Sequence, residues 1–320
     1  MVRIGVDIFG GDYAPAAVLE GAAMAAKELA GEEAKVVCIG DRSIIEQYAS
    51  ANGIDNSLWE IEHTSEFIGM GDNPSRAYQQ KPGASIPLGF KLLKSGRIQG
   101  FASAGNTGAM MVGAMMVLKA IPGIIRPAIA TFVPTIGDTP ILLLDVGLNP
   151  DAKPEVLVQY GIMGSLYMEH VFGIQRPRVA LLNIGSEEEK GNLLTKATYP
   201  LMRECKSINF VGNVEGHDFF SNEKTDVMVC DGFVGNIILK SSEAIYDLVK
   251  SRDIHDAFFE KFNYENFGGT PVLGINGVAV IGHGISSGKA IKNMILQTYH
   301  VIHANLVDKL TEAFKEYSVA

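Results

Sequence analysis

Short apolar runs alternate with longer segments of helical periodicity along the 320-residue chain. This alternation is typical of an α/β protein whose sheet is largely parallel. The apolar runs that predict strands are VRIGVDI, AKVVCIG, GFASA, AIATFVP, PILLLDVG, RVALLNIG, INFVGNV, DVMVCDG and VAVIGHG. Helical patterns cover residues 14–30, 42–51, 85–95, 107–119, 154–171, 194–204, 235–249 and 288–316, and Asp41 is a candidate cap of the second.

Glycine and small polar residues follow seven of these apolar runs. The turns read IFGGD, SAGNTG, DVGLN, NIGSEEEKGN, GNVEGHD, CDGFVGN and GHGISSGK. Ligands of open parallel sheets bind at the carboxyl ends of the strands, where such turns gather. The pattern therefore predicts an active-site cleft at the strand ends, because seven such turns are too many to be explained as tight turns alone.

Composition limits the class of protein. Hydrophobic residues make up 47% of the chain and charged residues 20%, which suits an enzyme with one large α/β domain or two intertwined subdomains across residues 1–320. The net charge of −9 argues against nucleic acid as a partner. Three scattered cysteines and an N-terminus that starts on a strand pattern favour the cytoplasm.

Several common motifs are missing. The first strand is followed by GVDIFGGDYAP, which lacks the GxGxxG spacing of a dinucleotide site. GHGISSGKA has its glycines one residue too far apart for a phosphate loop, and Ala290 stands where a Ser or Thr is needed. The histidine spacings predict no zinc site, and no GxSxG elbow signals covalent acyl-enzyme chemistry.

Three turns are candidates for chemistry, and each also has a purely structural interpretation. Ser103, Asn106 and Thr107 lie where a strand leads into a helix, which favours an anion site or simply a capped turn. Lys190 follows three glutamates in a glycine-bounded turn, and it is either a clamp for phosphate or an oxyanion, or part of a solvated loop. Asn236 is either the N-cap of a helix or an amide that holds a carbonyl or phosphate oxygen.

Six segments closely resemble the bacterial phosphate acyltransferases, the acyl-carrier-protein:phosphate transacylases that begin phospholipid synthesis. The segments are VDIFGGDYAP, IGMGDNPSRAYQQKPGASIPLGFKLLKSG, FASAGNTGAMMVGAM, LNIGSEEEKGN, GNVEGHD and CDGFVGNIILK. The resemblance runs in order from about residue 3 to about residue 300. It implies a three-layer α/β/α fold similar to the isocitrate and isopropylmalate dehydrogenases, a homodimer, and neither metal nor nucleotide cofactor.

The resemblance also implies a reaction and its residues. Inorganic phosphate attacks the thioester of a long-chain acyl-carrier protein, and a membrane glycerol-3-phosphate acyltransferase consumes the acyl phosphate. Lys190 and Asn236 are the implied catalytic pair. The implied substrate-binding residues are Gly10, Gly11, Asp12, Ser103, Asn106, Thr107, Asn213, Asp231 and Gly235.

An acidic enzyme that binds an acidic carrier protein needs a local basic surface. One candidate face holds Arg76, Lys81, Lys91, Lys94 and Arg97, and another holds Lys289 and Lys292. Between Lys240 and Gly268 the chain is shorter and more mixed in charge than the basic insertion of many relatives. Its apolar residues, Ile254, Phe258, Phe259 and Phe262, are expected to pack in the core or in a dimer, or to touch a membrane peripherally.

Three other functions remain as alternatives. One is a phosphotransacetylase-like acyltransferase that uses coenzyme A, and another is a decarboxylating dehydrogenase of the same overall fold. A non-catalytic scaffold for carrier protein or membrane is the third.

Overall fold

The computed structural model describes residues 1–221 and 223–317, and the chain divides into two compact units. Unit 1 comprises Met1–Lys119, Tyr264–Pro271 and Ile275–His303. Unit 2 comprises Ala120–Asn263, Val272–Gly274 and the residues from Ala304 onward. Each unit is thus built from separate stretches of the chain.

Parallel strands dominate the sheet in both units. The strands are β1 Val2–Asp7, β2 Ala34–Gly40, β3 Trp59–His63, β4 Gly100–Ser103, β5 Ala128–Val133, β6 Ile141–Leu144, β7 Arg178–Leu182, β8 Asn209–Val214, β9 Val227–Val229, β10 Thr270–Leu273 and β11 Val278–Ile281. Unit 1 carries the order β3-β2-β1-β4-β11-β10, and unit 2 carries β10-β5-β6-β9-β7-β8, since the residues of β10 are divided between them. Only the pairs β10–β11, β10–β5 and β5–β6 are antiparallel among the described strands.

Helices flank the strands. They are α1 Ala16–Glu28, α2 Arg42–Ala51, α3 Pro74–Gln80, α4 Ser85–Lys94, α5 Thr107–Gly113, α6 Pro154–Phe172, α7 Leu193–Glu204, α8 Gly232–Ser251, α9 Ala257–Glu260, α10 Gly288–His303 and α11 Leu306–Tyr317. The predicted fold class, mixed α/β with a large, mostly parallel sheet, is confirmed. The cap predicted at Asp41 is also confirmed, because its carboxylate accepts from the amides of Ser43 and Ile44.

Each unit has its own core. In unit 1, α1 and α10 pack on the central strands, and Ile4, Leu19 and Ile295 are fully buried. In unit 2 the long helix α6 covers β6 and β9, and it buries Tyr160 and Tyr167 completely.

The structure corrects several predicted boundaries. The helix expected at 235–249 begins earlier, at Gly232, because Asp231 caps it. The helix expected at 288–316 is two helices, and Asn305 between them adopts a φ of 51°, a left-handed conformation that asparagine tolerates. The sequence patterns do not predict β3, β10, α3 or α9, which are short, at four to seven residues each.

The aromatic residues that follow α8 contact one another and stay partly exposed, so the expectation that they join the core is wrong. Phe258 lies 5.8 Å from Phe259 and 5.4 Å from Phe262, ring centre to ring centre, and Phe262 lies 5.4 Å from Phe220. Ile254 is about half exposed and stands outside this cluster.

Candidate active site

Four of the predicted site residues of unit 2 lie near or beyond the carboxyl ends of neighbouring parallel strands. The strands β6, β9, β7 and β8 are adjacent in that order and run parallel, so their carboxyl ends meet at one edge. Lys190 follows β7, Asp231 and Asn236 follow β9, and Asn213 is the penultimate residue of β8. The structure thereby brings these residues to a common edge within unit 2.

Lys190 closes a tight turn after β7. Its amide donates to the Glu187 carbonyl over 3.2 Å, and its carbonyl accepts from Nδ2 of Asn183 over 3.1 Å. The side chain is exposed, and its ammonium forms no ion pair with any residue in the ranges 1–221 and 223–317. An unpaired ammonium on a backbone-anchored turn is available to an anionic ligand.

Gly191 is required by the packing of this turn. Its φ is +99°, and a Cβ atom there would overlap with Oγ1 of Thr195 and with Oδ1 of Asn183. Asn192, the next residue, caps α7 by accepting from the Thr195 amide over 2.9 Å. The turn therefore passes directly into a helix with Asn183 packed against it.

Asn236 lies in the second turn of α8, and the alternative that it caps a helix is wrong. The cap is Asp231, whose carboxylate accepts from the Val234 amide over 2.9 Å. The exposed amide of Asn236 donates from Nδ2 to the Val146 carbonyl over 3.3 Å. An amide nitrogen carries two N–H groups, so the second remains available to an oxygen of a ligand.

Gly232 and Gly235 let α8 lie directly on the loop that follows β6. A Cβ at Gly235 would overlap with the Asp145 carbonyl, and one at Gly232 would come within 2.7 Å of Asp145 Oδ2. Gly235 is buried, so its role in the structure is this close approach. The glycines bring the start of α8, with Asp231 and Asn236, against residues 145–149.

Asp145 organises that loop from inside. Its fully buried carboxylate accepts from the amides of Ile129 (3.0 Å), Leu148 (3.1 Å) and Asn149 (2.6 Å). Burial raises the pKa of Asp145, and these hydrogen bonds oppose the rise. Asn149 in turn donates to the Pro127 carbonyl over 2.7 Å, so one carboxylate ties together two loops beneath α8.

Unit 1 carries a similar buried carboxylate at the end of β1. Oδ2 of Asp7 accepts from Ser103 Oγ over 2.7 Å, and that hydroxyl accepts from the Gly105 amide over 3.0 Å. Gly10 packs on the same group, since a Cβ there would lie 2.7 Å from the Gly105 nitrogen. Burial raises the pKa of Asp7, while the hydrogen bonds from Ser103 and the Phe9 amide lower it.

Gly10 and Ser103 therefore lie together, because β1 and β4 are adjacent parallel strands. The Ser103 hydroxyl is fully buried and engaged with Asp7. Next to them, Gly11 has a φ of +104°, and the amide of exposed Asp12 donates to the Gly284 carbonyl over 2.7 Å.

Asn106 is committed to the protein itself. Its Oδ1 accepts from the Ala109 amide as the N-cap of α5, and its Nδ2 lies within 3.2 Å of the carbonyls of Gly69, Met70 and Asp72. Thr107, by contrast, is exposed at the first position of α5. In this region the geometry leaves Thr107 free for a ligand and gives Asn106 the task of anchoring the 69–72 loop.

Sequence reasoning missed three residues that organise these turns. Asp7, Asp145 and Asn183 each come directly after an apolar run, a signal that could have found them. Among the described residues, no group of three or more His, Cys, Asp or Glu is arranged to hold a metal ion. None of the helices within residues 1–221 and 223–317 has the length and apolarity needed to cross a membrane.

Comparison with solved structures identifies the fold. The fold matches the EutD phosphotransacetylase from Staphylococcus aureus with a TM-score of 0.63 and 17% identity, over 95% of this chain and 94% of the other. A phosphotransacetylase from Streptococcus pyogenes matches with a TM-score of 0.63 and 16% identity, over 94% of each chain. At such low identity the match shows the fold, which is that of these enzymes.

Sequence comparison is more specific. Residues 2–309 match the family model described as "Fatty acid synthesis protein". A phosphate acyltransferase from Dictyoglomus turgidum is 39% identical over 98% of both chains, and one from Heliobacterium modesticaldum is 41% identical over 97% of both. The chain belongs to this family of phosphate acyltransferases, and it is an enzyme of acyl transfer to phosphate.

Proposed function

We propose that the enzyme transfers a long-chain acyl group from acyl-carrier protein to inorganic phosphate. The observation that carries this proposal is the unpaired ammonium of Lys190, held at the strand edge of unit 2 where Asn236 also emerges. Phosphate is a nucleophile at neutral pH, so the reaction needs no activated serine or cysteine. It needs an anion held in place and donors for the carbonyl oxygen.

The proposed reaction is a single displacement at the thioester carbon. A phosphate oxygen attacks this carbon, the carbonyl oxygen gains negative charge, and the C–S bond then breaks. The products are an acyl phosphate and the carrier thiol, whose sulfur takes up, through water, the proton that hydrogen phosphate loses. Lys190 and the free N–H of Asn236 stabilise the charge on the phosphate and on the carbonyl oxygen.

We assign the glycine turns of unit 1 to substrate binding. Gly11 has no side chain to block an approaching ligand, and the exposed Asp12 and Thr107 border these turns, while the buried Gly10 lets β1 and β4 approach closely at Gly105. Ser103 contributes by fixing the turn through its bonds to Asp7 and Gly105. In unit 2, Asp231 and Gly235 support the start of α8 rather than offering free donors.

The first basic face is the proposed docking site of the carrier protein. Lys91 and Lys94 lie one turn apart at the end of α4, both exposed, with no ion pair to the part of the chain that the structure describes. On the same face Lys81 pairs with Asp72 and Arg97 pairs with Glu62, so Lys91 and Lys94 are its unpaired lysines. On the second face Lys292 pairs with Glu28, and Lys289 donates to the neutral side chain of Asn266. Unpaired cations attract an acidic partner more strongly than paired ones do.

The proposed reaction also implies an enzyme that consumes its product. An acyl phosphate is a mixed anhydride, and we propose that a membrane glycerol-3-phosphate acyltransferase consumes it for phospholipid synthesis.

We also propose a homodimer, supported by exposed apolar residues along α8, among them Phe233 and Leu248. Light scattering on the purified enzyme tests the dimer as twice the mass of the chain.

Hydroxylamine trapping tests the reaction. Palmitoyl carrier protein is incubated with enzyme, with and without phosphate, and acyl phosphate is trapped as the hydroxamate. We expect phosphate-dependent loss of the thioester, with palmitoyl carrier protein used better than acetyl-CoA. Equal or better use of acetyl-CoA would favour the coenzyme A alternative, and no phosphate-dependent loss would show that the proposed reaction is wrong.

Two variants test the proposed catalytic pair. Lys190→Ala and Asn236→Ala should each lower kcat at least about tenfold, because loss of one oxyanion donor costs on the order of 10²–10³ in rate. Lys196→Ala is the matched control, since it removes an exposed lysine from α7, just beyond the turn. Its kcat should equal that of the wild type, and unfolding curves should show all three variants folded.

A further inference from the structure

The backbone of the Lys190 turn is held by two asparagine side chains. Nδ2 of Asn213 donates to the Glu187 carbonyl over 2.8 Å, and this same carbonyl accepts from the Lys190 amide over 3.2 Å. Nδ2 of Asn183 donates to the Lys190 carbonyl over 3.1 Å. The Lys190 carbonyl is therefore bound directly by Asn183, and the Lys190 amide is linked to Asn213 through the Glu187 carbonyl.

The side chains of the turn itself add little to hold it. Residues 186–190 are all exposed, and Leu193, at the start of α7, is 89% exposed. The ion pair of Glu188 with Arg203 lies in solvent, where such pairs contribute little. Since the Lys190 side chain has no partner of its own within residues 1–221 and 223–317, its position depends on its backbone.

The burial of Asn213 points to the same task. Only 8% of the residue is exposed, and its Oδ1 is buried with no hydrogen-bond partner among the described residues. A buried acceptor without a partner destabilises the folded state, and an apolar side chain of similar size would avoid that cost. The contact that offsets this cost is the bond from Nδ2 to the Glu187 carbonyl.

We infer that Asn213 and Asn183 are positioning residues for acyl transfer, which act through Lys190 and make no contact with substrate. Their side-chain amides hold the 187–190 turn so that the ammonium meets the phosphate and the thioester oxygen in one geometry. This inference rests on the proposed function, and it gives Asn213 a different role from the substrate contact that the sequence suggested. A misplacement of about 1 Å in a catalytic group can cost on the order of 10²-fold in rate.

A double-mutant cycle with Lys190 tests the inference. Asn213→Ala and Asn183→Ala should each lower kcat about tenfold, with the KM for phosphate and for acyl-carrier protein changed less than about threefold. In a Lys190→Ala background the same substitutions should have almost no further effect, because the group that they position is gone. A residue that contacts substrate would instead lower kcat by the same factor in both backgrounds.

The chain offers a matched control on the same strand. Asn209, at the other end of β8, also donates from Nδ2 to a backbone carbonyl, that of Arg176, over 3.3 Å. Asn209→Ala removes the same kind of bond from the same strand, away from the Lys190 turn, and should leave kcat unchanged. If Asn213→Ala does not fold, Asn183→Ala carries the test, because Asn183 is only partly buried.

Amide hydrogen exchange gives a readout that does not depend on activity. Residues 187–191 should exchange faster in Asn213→Ala than in the wild type or in Asn209→Ala. Unchanged exchange there, unchanged kcat, or equal effects in both backgrounds would overturn the inference. If Lys190→Ala keeps full turnover, the proposed catalytic role of Lys190 fails, while the exchange result still shows separately whether Asn213 holds the turn.

Discussion

Two buried carboxylates, Asp7 and Asp145, do comparable work in the two units. Each lies at the end of a strand, Asp7 as the last residue of β1 and Asp145 directly after β6, and accepts backbone or hydroxyl hydrogen bonds from the adjoining segments. A charged group in the interior is tolerated only when such partners surround it. The turns that carry the proposed site are thus shaped by acids that themselves lie beneath the surface.

Replacement of Asp145 measures how much one of these acids contributes. Asp145→Ala leaves the amides of Ile129, Leu148 and Asn149 without their acceptor. We expect the free energy of unfolding to fall by about 2–5 kcal/mol, since a buried unsatisfied donor costs about 1–3 kcal/mol. Urea denaturation measures this, and Asp145→Asn, which keeps one acceptor oxygen, should lose less; a fall below about 1 kcal/mol for alanine would contradict the prediction.

Gly191→Ala tests the close approach behind the Lys190 turn. The new Cβ would overlap with Asn183 and Thr195 at a φ of +99°, so both stability and kcat should fall, the former by about 1–3 kcal/mol. Gly173 is the control, because its φ is +74° but no atom lies within 4 Å of a Cβ built there. Gly173→Ala should therefore show only the backbone cost, about 1 kcal/mol, with kcat unchanged.

At the scale of elements, side chains before the first turn decide where helices begin. Asp231 places the start of α8 at Gly232, and glycines in that first turn let the helix lie on the 145–149 loop. Asn236 consequently points from the second turn of a formed helix. A short 3₁₀ turn at Gly216–Asp218 is capped in a similar way. The carboxylate of Glu215 accepts from the Asp218 amide, and the carboxylate of Asp218 accepts from the Glu215 amide.

The carboxyl group of Asp218 in this 3₁₀ turn should make the stability of the enzyme depend on pH. Burial alone would raise the pKa of Asp218, but the Glu215 amide at 3.0 Å and the Lys224 ammonium at 2.8 Å lower it below the ordinary value. A carboxyl whose pKa is lowered in the folded state stabilises that state above its unfolded pKa, and this stabilisation is lost as the pH falls through the folded pKa.

Asp218→Asn should therefore be less stable than the wild type at pH 7, and the difference should shrink toward pH 2. Urea denaturation across this range measures it. Lys224→Met is the companion variant, since it removes one cause of the lowered pKa and should move the loss of stability to higher pH. A difference that stays constant across the range would contradict the assignment.

At the scale of the whole molecule, the distribution of charge determines which surface attracts a charged partner. The chain carries a net charge of −9, so the acidic carrier protein that we propose as its partner would need a local basic surface. Lys91 and Lys94 at the end of α4 form the candidate, and their attraction should be screened by salt within about 10 Å at 0.1 M.

Replacement of both lysines tests this surface. The Lys91→Ala/Lys94→Ala enzyme should have a KM for palmitoyl carrier protein about three to ten times higher at low salt, and the effect should shrink at high salt. Turnover of palmitoyl pantetheine, which lacks the protein, should not change. Lys289→Ala/Lys292→Ala is the control, and a larger effect from that pair would place the docking surface on the other face.

The sequence predicted strands and helices more accurately than it predicted the roles of single side chains. All nine predicted strands form, because long apolar runs bounded by glycine leave few other conformations. It misplaced the start of α8 because Asp231, Gly232 and Gly235 each suit a turn as well as a helix start. It assigned Asn106 to substrate, whereas that side chain caps α5 and binds three carbonyls of a loop more than thirty residues away in the chain.

The sequence by itself determined the fold class, the strand ends that carry polar turns, and the family, because these depend on local pattern and on long motifs. Only the tertiary structure decided which turns lie together, since that follows from the strand order β6-β9-β7-β8. It also decided how Lys190 is held, by Asn183 and by Asn213 through Glu187. Hydrogen bonds between residues distant in the chain leave no periodic signal in the sequence, and they are what positions this lysine.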